Sequence, residues 1–161
     1  MQPVIKSFIF LAFLTNCFNL SVAYARDVDI DVALAKAKNG DVAAMNRVGE
    51  LTRMGLYHDK KFKQALTWFE KAAASGNSDA IVNIGKMYSE GYGFKKDKKM
   101  AFSYYQKAAK LKNTKAMYEL SSAYRSGEGI EKNEIKGMEI LKECSALGDT
   151  NCTMLLNFLN R

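Results

Sequence analysis

The sequence predicts an all-α protein: a solenoid of three helix–turn–helix repeats with a half-repeat cap at each end. Three observations carry this. A shift of 36 residues superposes Ala44, Ala80, Ala116 and Cys152, then Gly55, Gly91 and Gly127, then Phe69, Tyr105 and Leu141, then Ala72, Ala108 and Cys144. A fixed period of this length is the mark of units that bury their apolar faces only against their neighbours. Proline occurs once, at position 3, so nothing inside the repeats blocks a helix, and Ala, Leu, Met, Lys and Glu favour one. The 161 residues, 48% hydrophobic and 11% aromatic, are enough for one packed domain and argue against disorder.

The first 25 residues are of another kind. Lys6 gives a positive start, Phe8 to Leu20 is apolar apart from Thr15, Asn16 and Asn19, and Ala23-Tyr24-Ala25 supplies a small-x-small cleavage pattern. The stretch reads as a secretory signal peptide cut after Ala25, leaving a mature chain 26–161 in the periplasm or outside the cell. A membrane anchor is disfavoured, because the apolar run falls short of about 20 uninterrupted residues. A lipid anchor on Cys17 is disfavoured too, because Asn16 is not small. Loss of Lys6 lowers the formal charge of +7 by one. A charge of this size steers acidic partners. The lysines are spread over every repeat and no nucleic-acid motif accompanies them, so nucleic acid is not expected as a partner.

Residues 27–40 (DVDIDVALAKAKNG) read as the N-terminal cap helix, with Asp27, Asp29 and Asp31 at its positive end and Asn39-Gly40 as its stop. Ala37 and Gly40 fall on Ala73 and Gly76, so this helix is the second half of a repeat. Repeat one spans 41–77. Its first helix aligns Ala44, Val48, Leu51 and Met54 at three- and four-residue spacings, and its second aligns Ala65, Leu66, Phe69, Ala72 and Ala73. Repeat two, 78–113, places Ile81, Ile84 and Tyr88, then Ala101, Tyr105, Ala108 and Ala109. Repeat three, 114–149, places Met117, Leu120 and Tyr124, then Met138, Leu141 and Cys144. Residues 150–161 restart a first helix with Met154, Leu155, Phe158 and Leu159, and serve as the C-terminal cap.

Gly49 and Gly85 recur within a helix, at a cost of about 1 kcal/mol each relative to alanine. Such a cost is tolerable where a bulky side chain of the partner helix fills the gap, and Ser121 keeps the position small in repeat three. No Gly-Lys-Ser/Thr follows these glycines, so they are not a phosphate loop.

The pattern Ala-x3-Leu/Ile-Gly-x2-Tyr-x2-Gly-x-Gly, followed by Lys-Ala-Ala, resembles the Sel1-like repeat, a relative of the tetratricopeptide repeat with a longer inter-helix loop. Repeat two carries it best, through Ala80, Ile84, Gly85, Tyr88, Gly91, Gly93, Asp97, Ala101, Tyr105, Lys107, Ala108 and Ala109. Repeat three keeps Ala116, Leu120, Tyr124, Gly127 and Gly129 but has Ser121 and Gly137. Repeat one departs at Thr52 and Tyr57. The resemblance implies a right-handed α/α superhelix that holds partner proteins, while fold alone assigns no activity.

Cys144 and Cys152 are the cysteines left after the leader, eight residues apart, at positions held by Ala72 with Ala80 and by Ala108 with Ala116. Two alanines there imply close β-carbons, compatible with the roughly 3.5–4.5 Å of a disulfide. Oxidising conditions outside the cytoplasm would permit the bond. The spacing also resembles the cysteine-rich branch of the family, where it closes a disulfide in each repeat.

No chemistry stands out. His58, the single histidine, sits among Asp59, Lys60 and Lys61 with no metal-ligand partner, and no Ser-x-x-Lys occurs. No catalytic residue, metal or cofactor is therefore expected. The lysines Lys95, Lys96, Lys98 and Lys99 are either a solvated loop or a contact to an acidic partner. In a helical-repeat solenoid the first helices line the concave face. Their positions off the apolar stripe are Asn46, Glu50 and Arg53; Asp79, Lys86 and Ser89; and Lys115, Tyr118, Ser122 and Arg125. These form the expected partner-binding set, with aromatic and arginine side chains of the type that dominate interfaces. The expectation is a non-enzymatic, periplasmic or secreted scaffold. The resemblance further suggests an immunity protein against a phospholipase-type antibacterial effector. A cell-wall or β-lactam-acting enzyme of the cysteine-rich type and a host-directed secreted factor are the alternatives.

Overall fold

A computed structural model describes residues 30–55 and 61–160. The leader, Asp27, Asp29 and His58 lie outside the described residues. Eight α-helices and no strand occur among the rest: α1 (30–38), α2 (Val42–Met54), α3 (Phe62–Ala74), α4 (Ser78–Glu90), α5 (Lys98–Lys110), α6 (Thr114–Ser126), α7 (Glu134–Ala146) and α8 (Thr150–Leu159).

Each boundary has a local cause. Asp41, Asn77, Asn113 and Asp149 stand one period apart and cap the first helices α2, α4, α6 and α8. Their side-chain oxygens accept from orphan backbone N–H groups, as in Ala44 N to Asp41 Oδ1 at 2.9 Å and Ala80 N to Asn77 Oδ1 at 2.8 Å. Asp97 and Asn133 do the same for α5 and α7. Repeat one has Lys61 at that position, and α3 starts without a side-chain cap. The first helices end at Gly55, Gly91 and Gly127, whose left-handed φ of 74–80° is open to glycine without a Cβ penalty.

From α2 to α8 each helix packs on the one before it and the one after it. The first helices α2, α4, α6 and α8 also touch in series, and no other pair among these seven meets. This is the one-dimensional packing of a solenoid. At its start, Ala33 and Ala37 of α1 join Ala44 and Val48 of α2 in one apolar cluster, with Trp68 of α3 packed against it.

The helix-interior glycines are notches. A Cβ at Gly49 would lie 2.6 Å from Phe69 Cε1, and one at Gly85 would lie 2.6 Å from Tyr105 Cε1. Leu141 replaces the aromatic ring in repeat three, and Ser121 takes the place of the glycine opposite it. Gly137 is a further notch, where a Cβ would lie 2.5 Å from Arg125 Cγ. The arginine stem therefore fills the space that Ala65 and Ala101 fill with their own methyl groups.

Three apolar residues do not face the core as their spacing suggests. Met54, at the end of α2, is 48% exposed, and Met154 and Phe158 of α8 are 62% and 72% exposed. α8 lies against α6 and α7 only, burying Cys152 and partly burying Leu155, Leu156 and Leu159. It also carries Asn157 at the register of Gly49, Gly85 and Ser121, and its C-cap Asn160 falls at that of Thr52, Tyr88 and Tyr124; both are exposed. The first of these is the position where Gly49 and Gly85 receive a ring of the second helix.

Candidate protein-binding interface

The first helices bring most of the expected binding residues into one polar strip. Asn83 Nδ2 on α4 donates to Asn46 Oδ1 at 3.0 Å and to Glu50 Oε1 at 3.2 Å on α2, which joins repeats one and two. Asn113 does two jobs: its Oδ1 caps α6, while its Nδ2 donates to Ser78 Oγ at 3.0 Å and Asp79 Oδ1 at 2.9 Å. Lys115 adds a bond to Asp79 at 3.2 Å, and Lys86 reaches Glu119 at 3.4 Å, so α4 and α6 are pinned at two points. Exposed pairs of this kind contribute about 0–1 kcal/mol each and yield easily to an incoming partner.

Past these pairs, α4, α6 and α8 border a groove of about 540 Å³, lined by Lys86, Lys115, Tyr118, Glu119, Met154 and Leu155. The exposed thioether of Met154 and the Tyr118 ring supply apolar area beside the ion pairs. Ser122 lies exposed one turn further along α6.

The last-turn residues behave differently. Ser89 is buried, contrary to the expectation from helical spacing. Lys98 Nζ, from the start of α5, donates to Ser89 Oγ at 2.9 Å and also binds Glu128 at 2.7 Å, and the Tyr105 phenol lies on the same hydroxyl. Lys98 is thus engaged within the fold, whereas Lys95, Lys96 and Lys99 are exposed. Arg125 lies over Gly137 with its Nε buried, and the Arg53 guanidinium is 5.8 Å from the Tyr92 ring. Ser89 and Arg125 thus point toward the second helix of their own repeat, and Arg53 toward the loop of the next one. Asn83, Glu119, Asn151, Met154 and Leu155 belong to the surface although helical spacing alone did not select them. The 36-residue register of Asn83, Glu119 and Leu155 is the signal that groups three of them.

Two carboxylates of this region are held below their ordinary range. Burial raises the Asp79 carboxyl, but the bonds from Asn113 and Lys115 and the charge of Lys115 outweigh it. Asp149 is lowered by the Cys152 amide, with help from the Thr114 hydroxyl. Beyond the strip, Glu128 is lowered by its bond to Lys98. In each case the unfolded chain takes up the proton first as the pH falls. The stabilisation is therefore complete above the ordinary carboxylate value of about 4 and is lost below it. Thermal melts at pH 7 and pH 3 are expected to show a lower Tm in acid, with a smaller drop for Asp79→Asn than for the wild type.

The disulfide between Cys144 and Cys152 is present, with Cα atoms 5.8 Å apart and both residues fully buried. It ties the end of α7 to the first turn of α8, beside the Asp149 cap. No helix among the described residues is long and apolar enough to cross a membrane.

The family described as Sel1 repeat matches residues 42–77, 78–113 and 114–149. No curated protein matches the sequence. Among solved structures, a Sel1 repeat protein from Oxalobacter formigenes aligns at TM-score 0.67 and 28% identity, over 80% of this chain and 97% of that one. A protective antigen of uropathogenic Escherichia coli, displaying an SLR fold, aligns at TM-score 0.72 and 26% identity, over 80% of this chain and 28% of that one. Helicobacter pylori cysteine-rich protein B shares the fold at TM-score 0.62 and 23% identity, over 80% and 95% of the two chains. Proteins built from these repeats are in general non-enzymatic scaffolds for protein–protein binding. With three consecutive repeats matched and an all-α solenoid that packs them in register, this chain belongs to the Sel1 repeat family.

Proposed function

We propose that the protein is a periplasmic or secreted scaffold that binds another protein along the concave face formed by α2, α4, α6 and α8. The observation that carries this reading is the groove of about 540 Å³, where Tyr118, Met154 and Leu155 supply apolar area beside the Lys86–Glu119 pair. An exposed apolar patch rimmed by polar residues is the usual composition of a protein-binding site. Asn46, Glu50, Asp79, Lys115 and Ser122 extend the same surface. The buried disulfide supports an oxidising compartment.

The partner suggested by resemblance is a phospholipase-type antibacterial effector, in which case the protein would act as its immunity protein. Affinity capture from the native host should recover one dominant partner with the wild type. Tyr118→Ala and Lys86→Glu should each weaken that partner at least tenfold, as truncation at the centre of an interface does. An unchanged affinity in both variants would move the binding site off this face. Failure of a purified phospholipase-type effector to bind at micromolar concentration would remove the immunity reading and leave the scaffold reading standing.

A further inference from the structure

The second helices α1, α3, α5 and α7 follow one another along the opposite side. The gap between successive helices is closed by the residue at one repeat position. Trp68 packs against the cluster of α1 and α2, and Tyr104 packs against the cluster holding Ala65, Phe69 and Ala72 of α3 while stacking on Tyr88 of α4. In repeat three that position is Ile140, too short to fill the gap. An open trough of about 310 Å³ remains between α5 and α7, with Met117, Tyr124 and Ile140 in its floor.

The rim of this trough is basic. Lys110, Lys112 and Lys136 border it, where the corresponding positions of the preceding gap are Ala74, Gly76 and Met100. Lys136 Nζ rests 4.8 Å from the centre of the Tyr124 ring. The only carboxylate in the lining is Glu143, already bonded to Lys112 at 2.6 Å.

Lys112 is an exception in a second respect. It has φ 58°, at a position where Gly40, Gly76 and Gly148 have φ 84–91°. A side chain in this left-handed region costs about 1–2 kcal/mol. Its ion pair with Glu143 has both side chains at least half exposed, and such a pair contributes about 0–1 kcal/mol. The pair does not offset the strain, so stability alone does not account for a lysine here.

We propose that this trough is a second docking site, taking an acidic segment of a partner protein that seats one or two large apolar side chains over Ile140 and Tyr124. The three lysines against one paired carboxylate set the charge of the segment, and the net positive charge of the chain steers it in. The trough is open along its length, whereas sites for small ligands enclose most of the ligand surface. A protein segment therefore suits it better than a lipid chain.

The test uses the full chain and an unbiased 16-residue peptide library displayed on phage, with the recovered peptides synthesised and titrated by fluorescence polarisation. Peptides combining Asp or Glu with Leu, Phe or Trp are expected to be enriched. Ile140→Tyr, which installs the filler used in repeat two, should weaken them at least tenfold. Lys112→Gly should weaken them about fivefold while leaving the Tm equal or higher, which separates lost recognition from lost folding. Tyr118→Ala, on the first-helix side, should leave them unchanged, so failure here is distinct from failure of the concave-face reading. Enriched peptides without an acidic bias, or full binding to both Ile140→Tyr and Lys112→Gly, would overturn the proposal. So would saturable binding of sodium laurate, lost in Ile140→Tyr, with no acidic peptide enriched.

Discussion

Replacing Phe69 by alanine is expected to lower the unfolding free energy by about 3–5 kcal/mol, the cost of truncating a buried aromatic side chain without collapse of the site. Phe69 is fully buried and projects from α3 onto Gly49 of α2, where the missing Cβ makes room for its ring. The backbone around Gly49 is helical and paired, so it cannot close over the void. Because contacts reach no further than the next helix but one, the damage should concentrate in α1–α4. Urea unfolding followed by circular dichroism measures the loss. Hydrogen exchange should show amides of α2 and α3 losing protection before those of α6 and α7. A loss under 1 kcal/mol would mean that the notch is not a principal packing element.

Removing the disulfide in the double variant Cys144→Ala/Cys152→Ala is expected to cost about 2–3 kcal/mol, the loop-closure entropy of a short cross-link. Alanine is the informative replacement. Ala72 with Ala80, and Ala108 with Ala116, occupy the same two positions in the other repeats and are fully buried there. The variant therefore keeps the native packing type and isolates the covalent constraint. The Tm should fall by roughly 5–12 °C, and protection should vanish first in α8, which among the described helices is held only by α6 and α7. Equal stability of the variant and the wild type would assign α8 to Leu155, Leu156 and the Asp149 cap instead of the cross-link.

Much of this was legible in the sequence because a repeat repeats its physics. The positions of Ala44, Ala80, Ala116 and Cys152 identify helix approach sites, and from them the cross-link could be inferred without coordinates. The glycine notches were legible as well, since a recurring cost inside a helix demands a recurring partner. What escaped depended on side chains reaching between elements. Ser89 has the helical phase of a surface residue, yet a lysine from the next helix covers it. Arg125 belongs to the strip by spacing, yet Gly137 opens a seat for its stem. Met154 and Phe158 continue an apolar stripe, and only the packing of α8 on α6 and α7 shows that they face outward. The caps Asp41, Asn77, Asn113 and Asp149 lay in plain sight at the repeat period. By residue type alone they are ambiguous, because asparagine and aspartate also mark ordinary turns.

The polar register of α8 has a consequence for how such a chain grows. Asn157 stands where Gly49 and Gly85 leave room for a second-helix ring, so α8 lacks that notch. A copy of residues 114–149 inserted between Asp149 and Thr150 would instead find α7 ahead of it and α8 behind it, in the register both already use. Such an insertion would leave the contacts of α8 to a first and a second helix of the same kind as α6 and α7, so the array could change by whole units without a new type of helix contact.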